Sequence, residues 1–195
     1  MLDKARLLPF LLTFNLKLST IKGMVIVGFD PGIATLGYGV ISTDKGARPE
    51  MIDYGIVSTP KDENLAVRLA MLEKGIRQII DKFKPDEIAV EELFFAKNVK
   101  TGIAVAHARG VILLTAIKEC GKIFEYTPLQ IKQALTGYGR AEKNQIQQMV
   151  KTTLRLKAVP RPDDAADALA VAICHAQTNK FGNIFNIDNS KYNRG

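Results

Sequence analysis

Four carboxylates, set in three separate stretches of this chain, have the types and spacing to do chemistry. Asp30 closes the apolar run VIVGFD, Glu91 closes EIAVE, and Asp164 and Asp167 stand three residues apart in RPDDAADALAVA. An acid at a strand end is open on one side, and helical positions three apart share a face. If the fold brings the three stretches together, four like charges crowd one point and raise one another's pKa. Such a cluster persists best around a cation. Oxygen ligands with neither Cys nor an obvious His partner suit magnesium, or manganese in its place, rather than zinc. The chemistry to expect is metal-dependent hydrolysis of a phosphodiester. Each acid also has a plainer role to set against that one. Asp30 precedes the turn pair Pro31–Gly32, and Glu91 and Glu92 can end a strand in solvent. Acids near a helix N-terminus suit its dipole, and Asp163 is the one assigned to the cap.

The elements that must carry these acids are legible in the periodicity. From Met24, VIVGFD, LGYGVIST and MIDYGIVST read as three strands of an antiparallel meander. Asn64 or Asp62 can cap a helix in which Leu65, Leu69, Leu72, Ile76, Ile80 and Phe83 recur at helical spacing, ended by Lys84–Pro85. EIAVE returns as a buried strand. A long helix from about Val99 to Cys120, closed by Gly121, is apolar on more than one face, which predicts either deep burial or a subunit interface. KIFEYTP reads as a fifth strand, and Pro128 starts a short helix. After the bend GYGRAEKNQ, one helix runs to about Leu156 and a last one from about Asp163 to Gln177. This order predicts an α/β fold, a mixed five-stranded sheet flanked by helices, with all four acids at one edge. The single domain spans residues 24–178; the asparagine-rich tail at 179–195 is expected to be mobile. Residues 1–23 imitate a signal peptide poorly, because Pro9 interrupts a short apolar stretch and no small-residue cleavage site follows. A start at Met24, or a loosely held arm, is expected.

Charge and composition narrow the class. Of the formal +7, residues 1–23 supply +3 (four cations against one anion), so the remainder carries only +4. Between Lys132 and Arg161, seven cations face the single anion Glu142, directly before Asp164 and Asp167. That pattern suits a polyanion track leading to a metal site; a solvated helix face is the plainer reading. At 195 residues and 47% hydrophobic the chain can bury one good core and is short for two. Cys120 and Cys174 form no CxxC pair and read as thiols of a reducing cytosol. No apolar run reaches the roughly 18 residues of a membrane helix, so a cytoplasmic protein is expected.

Five segments in order, GFDPGIATLGYGVI, AVEELFFAKN, ARGVIL, FEYTPLQIKQALTGYGRAEKNQIQQMV and DDAADALAVAICH, resemble the RuvC family of bacterial Holliday-junction resolvases. The resemblance runs from Met24 to about Gln177 and implies a ribonuclease-H-like fold and a homodimer. It places Asp30, Glu91, Asp164 and Asp167 on the family's metal-binding acids, Asp164 standing where some members carry His. It implies two divalent ions per site, one activating water and one stabilising the departing 3′ oxygen, and symmetric nicks leaving 5′-phosphate and 3′-hydroxyl ends. Lys132 and Lys143 match basic residues used near the active site, and Phe94 an aromatic inserted near the junction centre. Phe95 follows it, so only one of the two can point the same way. Arg140 and Lys97 read as backbone contacts, and His107, His175 and the methionines as packing residues. The helix Val99–Cys120 is the expected dimer interface, and the resemblance alone implies a branch-migration motor as partner.

Three other classes compete. A ribonuclease-H-like nuclease of ribosomal RNA precursors shares GFDPG and GYGV but typically lacks the basic GYGRAEK bend. A sugar-kinase or actin-like lobe requires a second glycine-rich phosphate loop and a second lobe, neither of which is found. A non-catalytic junction scaffold gains nothing from four acids facing phosphates.

Overall fold

The structure is a computed structural model that describes residues 23–44, 47–93 and 99–180. Expectations for residues 1–22, the tail beyond Lys180, Phe94, Phe95 and Lys97 fall outside the described residues. The expected meander forms: β1 (Met24–Asp30), β2 (Thr35–Thr43) and β3 (Glu50–Ser58) pair antiparallel in sequence. Helix α1 (Leu65–Phe83) then carries the chain back so that β4 (Glu87–Glu91) lies parallel to β1, on the side away from β2. Helix α2 (Val99–Glu119) precedes β5 (Ile123–Tyr126), which extends the sheet parallel to β4. The order is β3-β2-β1-β4-β5. Three helices complete the chain: α3 (Pro128–Thr136), α4 (Lys143–Thr153) and α5 (Asp163–Lys180). None of the described helices is long and apolar enough to cross a membrane.

Strand alternation divides the core into two layers. Val25, Val27 and Phe29 of β1 face one side with Leu72, Ile76 and Ile80 of α1 and Ala108, Ile112 and Ala116 of α2. Ile26 faces the other with Ile131 of α3, Ile146 and Val150 of α4, and Leu169 and Ile173 of α5. Helix α5 lies unusually close to the sheet, because both surfaces are stripped of bulk. Its buried positions include Ala165, Ala166, Ala168, Ala172 and Ala176. Beneath it, a Cβ on Gly28 would come 2.7 Å from the backbone nitrogen of Ala172, and one on Gly39 2.7 Å from that of Leu169. At Gly37 the clash would be with the Asp164 carbonyl. These glycines let the acidic end of α5 rest directly over β2.

The ends of the helices show which local signals sufficed. Asn64, not Asp62, caps α1: its side chain accepts the Val67 N–H at 3.0 Å. Thr127 and Gln130 form a reciprocal capping box on α3 with Pro128 in the first turn. Helix α4 stops at Thr153, short of the expected Leu156. Arg155 adopts a left-handed backbone (φ 53°), and the Leu156 N–H bonds back to the Lys151 carbonyl at 2.9 Å. That is a Schellman-type stop built on a residue other than glycine, hence silent in the sequence. Helix α5 runs three residues past the expected Gln177.

Candidate active site

Because β1 and β4 are parallel neighbours, with Phe29 beside Val90, their terminal acids Asp30 and Glu91 emerge at the same edge. Asp30 also lies opposite Gly37 on β2, where the Asp164 backbone of α5 comes down. The fold thus gathers the four predicted acids from β1, β4 and the first turns of α5. They sense one another. Burial, then the charges of Glu91, Asp167 and Asp164, push the Asp30 carboxyl up to about 8, with Lys143 opposing. Glu91 is pushed up to about 7 by burial and by Asp167, while a hydrogen bond from Asp30 and the charges of Lys132 and Lys143 pull it back. Burial also raises Asp167, more than its hydrogen bond with Lys143 lowers it.

Both predicted lysines act on this cluster. Lys143, the first residue of α4, sets its Nζ 2.9 Å from Asp167 and 3.5 Å from Asp163. Partial burial opposes its charge, but the hydrogen bond and the charges of Asp167 and Asp163 carry its pKa above the ordinary lysine value. Lys132, on α3, lies close enough to lower Glu91. Arg140 is exposed in the bend between α3 and α4. Asp163 turns its carboxylate to Arg161 and Lys143 and hydrogen-bonds Gln147, so it shares Lys143 with Asp167 as well as opening α5. Gln147 is a supporting residue that the sequence reading missed. Its signal was position: four residues after Lys143, it lies on the same face of α4, and it is buried.

Of the two histidines, one is satisfied inside the fold and the other stands in solvent, against the expectation that both pack. His175 is fully buried, with Nδ1 2.6 Å from the Tyr126 hydroxyl and Nε2 2.7 Å from Glu87. His107 is exposed on α2.

The donor chemistry suits a hard divalent cation: four carboxylates, two of them pushed toward neutrality by burial and mutual repulsion, which a cation would reverse. Among the described residues, however, no three His, Cys, Asp or Glu side chains are drawn together closely enough to hold an ion. Asp30 and Glu91 are instead engaged with each other through a hydrogen bond, and Asp167 is held by Lys143. Lys143 offsets part of the charge that these neighbouring acids gather. They fit a hard divalent cation by donor type.

A family profile described as crossover junction endodeoxyribonuclease RuvC matches residues 26–175. The chain belongs to the RuvC family. Among RuvC proteins it is 54% identical over 164 residues to that of Alkaliphilus oremlandii, covering 84% of this chain and 99% of the relative. It also resembles the solved RuvC of Thermus thermophilus at 37% identity and a TM-score of 0.75, covering 82% of this chain and 97% of that one. The same Thermus protein has been solved in complex with Holliday junction substrate; there the identity is 35%, the TM-score 0.77, and the coverage 82% and 96%. The mixed sheet with its flanking helices is thus the ribonuclease-H-like fold that the RuvC resemblance implied.

Proposed function

We propose that this chain resolves four-way DNA junctions by metal-dependent nicking of two opposed strands. The observation that carries the reading is the convergence of Asp30, Glu91, Asp164 and Asp167 beside Lys132 and Lys143, from elements up to 137 positions apart. Family membership supports the junction as substrate and the endonuclease as the activity. Asp30, Glu91, Asp164 and Asp167 would hold Mg2+, with Mn2+ as a substitute. When bound, two such ions would activate the attacking water and stabilise the departing 3′ oxygen. The chain's own residues do the rest. Asp30 and Glu91 would meet the ions as carboxylates. Lys143 leaves Asp167 for the substrate phosphate, and Lys132 offsets charge as it develops. Hydrolysis in this sense leaves a 5′-phosphate and a 3′-hydroxyl. Arg140 and Lys97 would hold backbone phosphates, and Phe94 would meet bases at the junction centre.

A junction with two-fold symmetry calls for two sites, and α2 supports a homodimer. Ala108, Ile112 and Ala116 face the core, while Ile103, Leu114 and Ile117 remain 50–55% exposed. With His107 and Gly110 they form one stripe at spacings of four and three, an apolar seam on a helix already buried on its other side. The setting is the bacterial cytoplasm, in recombination and repair, and a branch-migration motor rests on the family alone.

The test is cleavage of a labelled mobile four-way junction beside linear duplex, with and without magnesium. Paired symmetric nicks on the junction alone, abolished in Asp30→Asn while junction binding persists, are expected. Binding without nicks in magnesium and manganese would instead make the chain a scaffold.

A further inference from the structure

The bend between α3 and α4 borders an open pocket of about 400 Å³ on the protein surface. Its wall carries Tyr138, Asn144, Gln145, Gln148 and Met149, and no charged side chain lines it. Two of its residues neighbour the lysines beside the acid cluster. Thr136 donates its hydroxyl to the carbonyl of Lys132, one turn back on α3, the lysine that acts on Glu91. Asn144 follows Lys143, whose Nζ is 2.9 Å from Asp167. Arg140 lies exposed within the same bend.

From this arrangement we infer that the pocket takes one unpaired nucleobase of the junction strand, next to the phosphate to be cut. The inference rests on the acid cluster being the cleavage site. An uncharged wall flanked by Lys132, Arg140 and Lys143 suits the neutral base of a nucleotide whose phosphates lie on the lysines and arginine. A phosphate inside the pocket would meet no cation. Tyr138 is 58% exposed and offers the base a π-face. Its place is set in advance. Gly137 turns the chain through a left-handed backbone (φ 71°), and the Tyr138 N–H donates to Thr136 Oγ1 at 3.1 Å.

Along one side of α4, Asn144 and Gln148 are four residues apart, and among the described residues neither amide has a side-chain partner. Each offers a donor pair and an acceptor, the combination that reads a base edge. Gln145 is committed differently: its Oε1 accepts the Glu142 N–H at 2.8 Å, holding the start of α4 in place. A paired, stacked base in linear duplex must be extruded to enter, at a cost of a few kcal/mol, whereas a branch point presents bases already unstacked. The pocket therefore favours junctions over duplex, and some bases over others beside the cut.

The experiment uses the full chain without divalent metal and four-way junctions in which 2-aminopurine replaces one base at a time within three positions of the branch point. Wild type and Tyr138→Phe are expected to quench the same single position. Tyr138→Ala and Tyr138→Leu, both checked for wild-type circular dichroism, should lose that quench and bind roughly tenfold more weakly, the scale of one lost base–aromatic stack. Should Tyr138→Ala not fold, Tyr138→Leu carries the comparison. In magnesium, Asn144→Ala/Gln148→Ala should flatten the preference among junctions differing only at the quenched position. Quenching independent of residue 138 at every position overturns the inference, and so does an unchanged base preference. Because the fluorescence is read without cleavage, failure of the nuclease reading is separately visible: wild type would then quench at one position yet nick nothing in magnesium.

Discussion

Replacing Asp30 with asparagine should stop cleavage and at the same time stabilise the metal-free protein at alkaline pH. Burial and three neighbouring acids push the Asp30 carboxyl from 3.8 up to about 8. The sign is fixed by linkage: between those values the native state holds a proton that the unfolded chain has released, so stability falls as pH rises. It is fully present below about 3.8 and lost as pH passes 8. If Asp30 bore the whole burden, that interval would correspond to roughly 6 kcal/mol at about 1.4 kcal/mol per tenfold change. Water entry and movement of Lys143 relieve part of it, and about 2–3 kcal/mol is the expected gain for the uncharged, isosteric amide. For a domain of this size, a gain of that order raises Tm by about 5–10 °C. The assay is thermal melting of wild type and Asp30→Asn in chelator at pH 5 and at pH 9. The two should melt within about 2 °C of one another at the lower pH and separate at the higher. Millimolar magnesium at pH 9 should then narrow the gap by stabilising wild type alone. A gap equal at both pH values, or Asp30→Asn melting lower at pH 9, would refute the claim that these acids repel one another in a shared buried site.

Three further outcomes follow from other parts of the structure. Lys143→Ala should lower cleavage by on the order of 10²-fold with junction affinity changed far less, as measured in single-turnover assays, because it removes a charge aimed at the reacting phosphate. Comparable loss in affinity and rate would reduce it to a plain phosphate contact. Wild type is expected to sediment as a dimer at micromolar concentration and Leu114→Glu or Ile117→Glu as monomers by analytical ultracentrifugation; an unchanged distribution would move the interface off α2. Gly37→Val should push α5 off β2 at the Asp164 carbonyl. About 1–3 kcal/mol of stability is expected to go with it in urea titrations, together with cleavage; full activity would show that the acids do not need that close approach.

Much of the site was readable before any coordinates, and the particular residues show why. Asp30 and Glu91 end apolar runs, and Asp164 and Asp167 keep the three-residue spacing of one helical face, so their elements follow from local periodicity. Lys84–Pro85 and the Thr127–Pro128 pair likewise mark helix ends with residues whose backbone preferences are their own. Arg155 ends α4 by adopting a conformation its side chain disfavours, and Asp163 pairs with Lys143 and Gln147 across two helices rather than serving α5 alone. Neither has a local signature. Which glycines mattered was also hidden: Gly28, Gly37 and Gly39 look like ordinary strand glycines until α5 is laid over them.

The order and type of the elements, the acids at their ends and the basic stretch between Lys132 and Arg161 are local properties of the chain, because periodicity, caps and charge act over a few residues. Long-range packing is what sets Asp30 beside Glu91, Lys143 against Asp167, and Tyr138 at the rim of an open pocket. Those are distances and dielectric surroundings between residues far apart in the chain. They exist only once parallel pairing of β1 with β4, and the close seat of α5 over the glycines, bring the pieces to one edge.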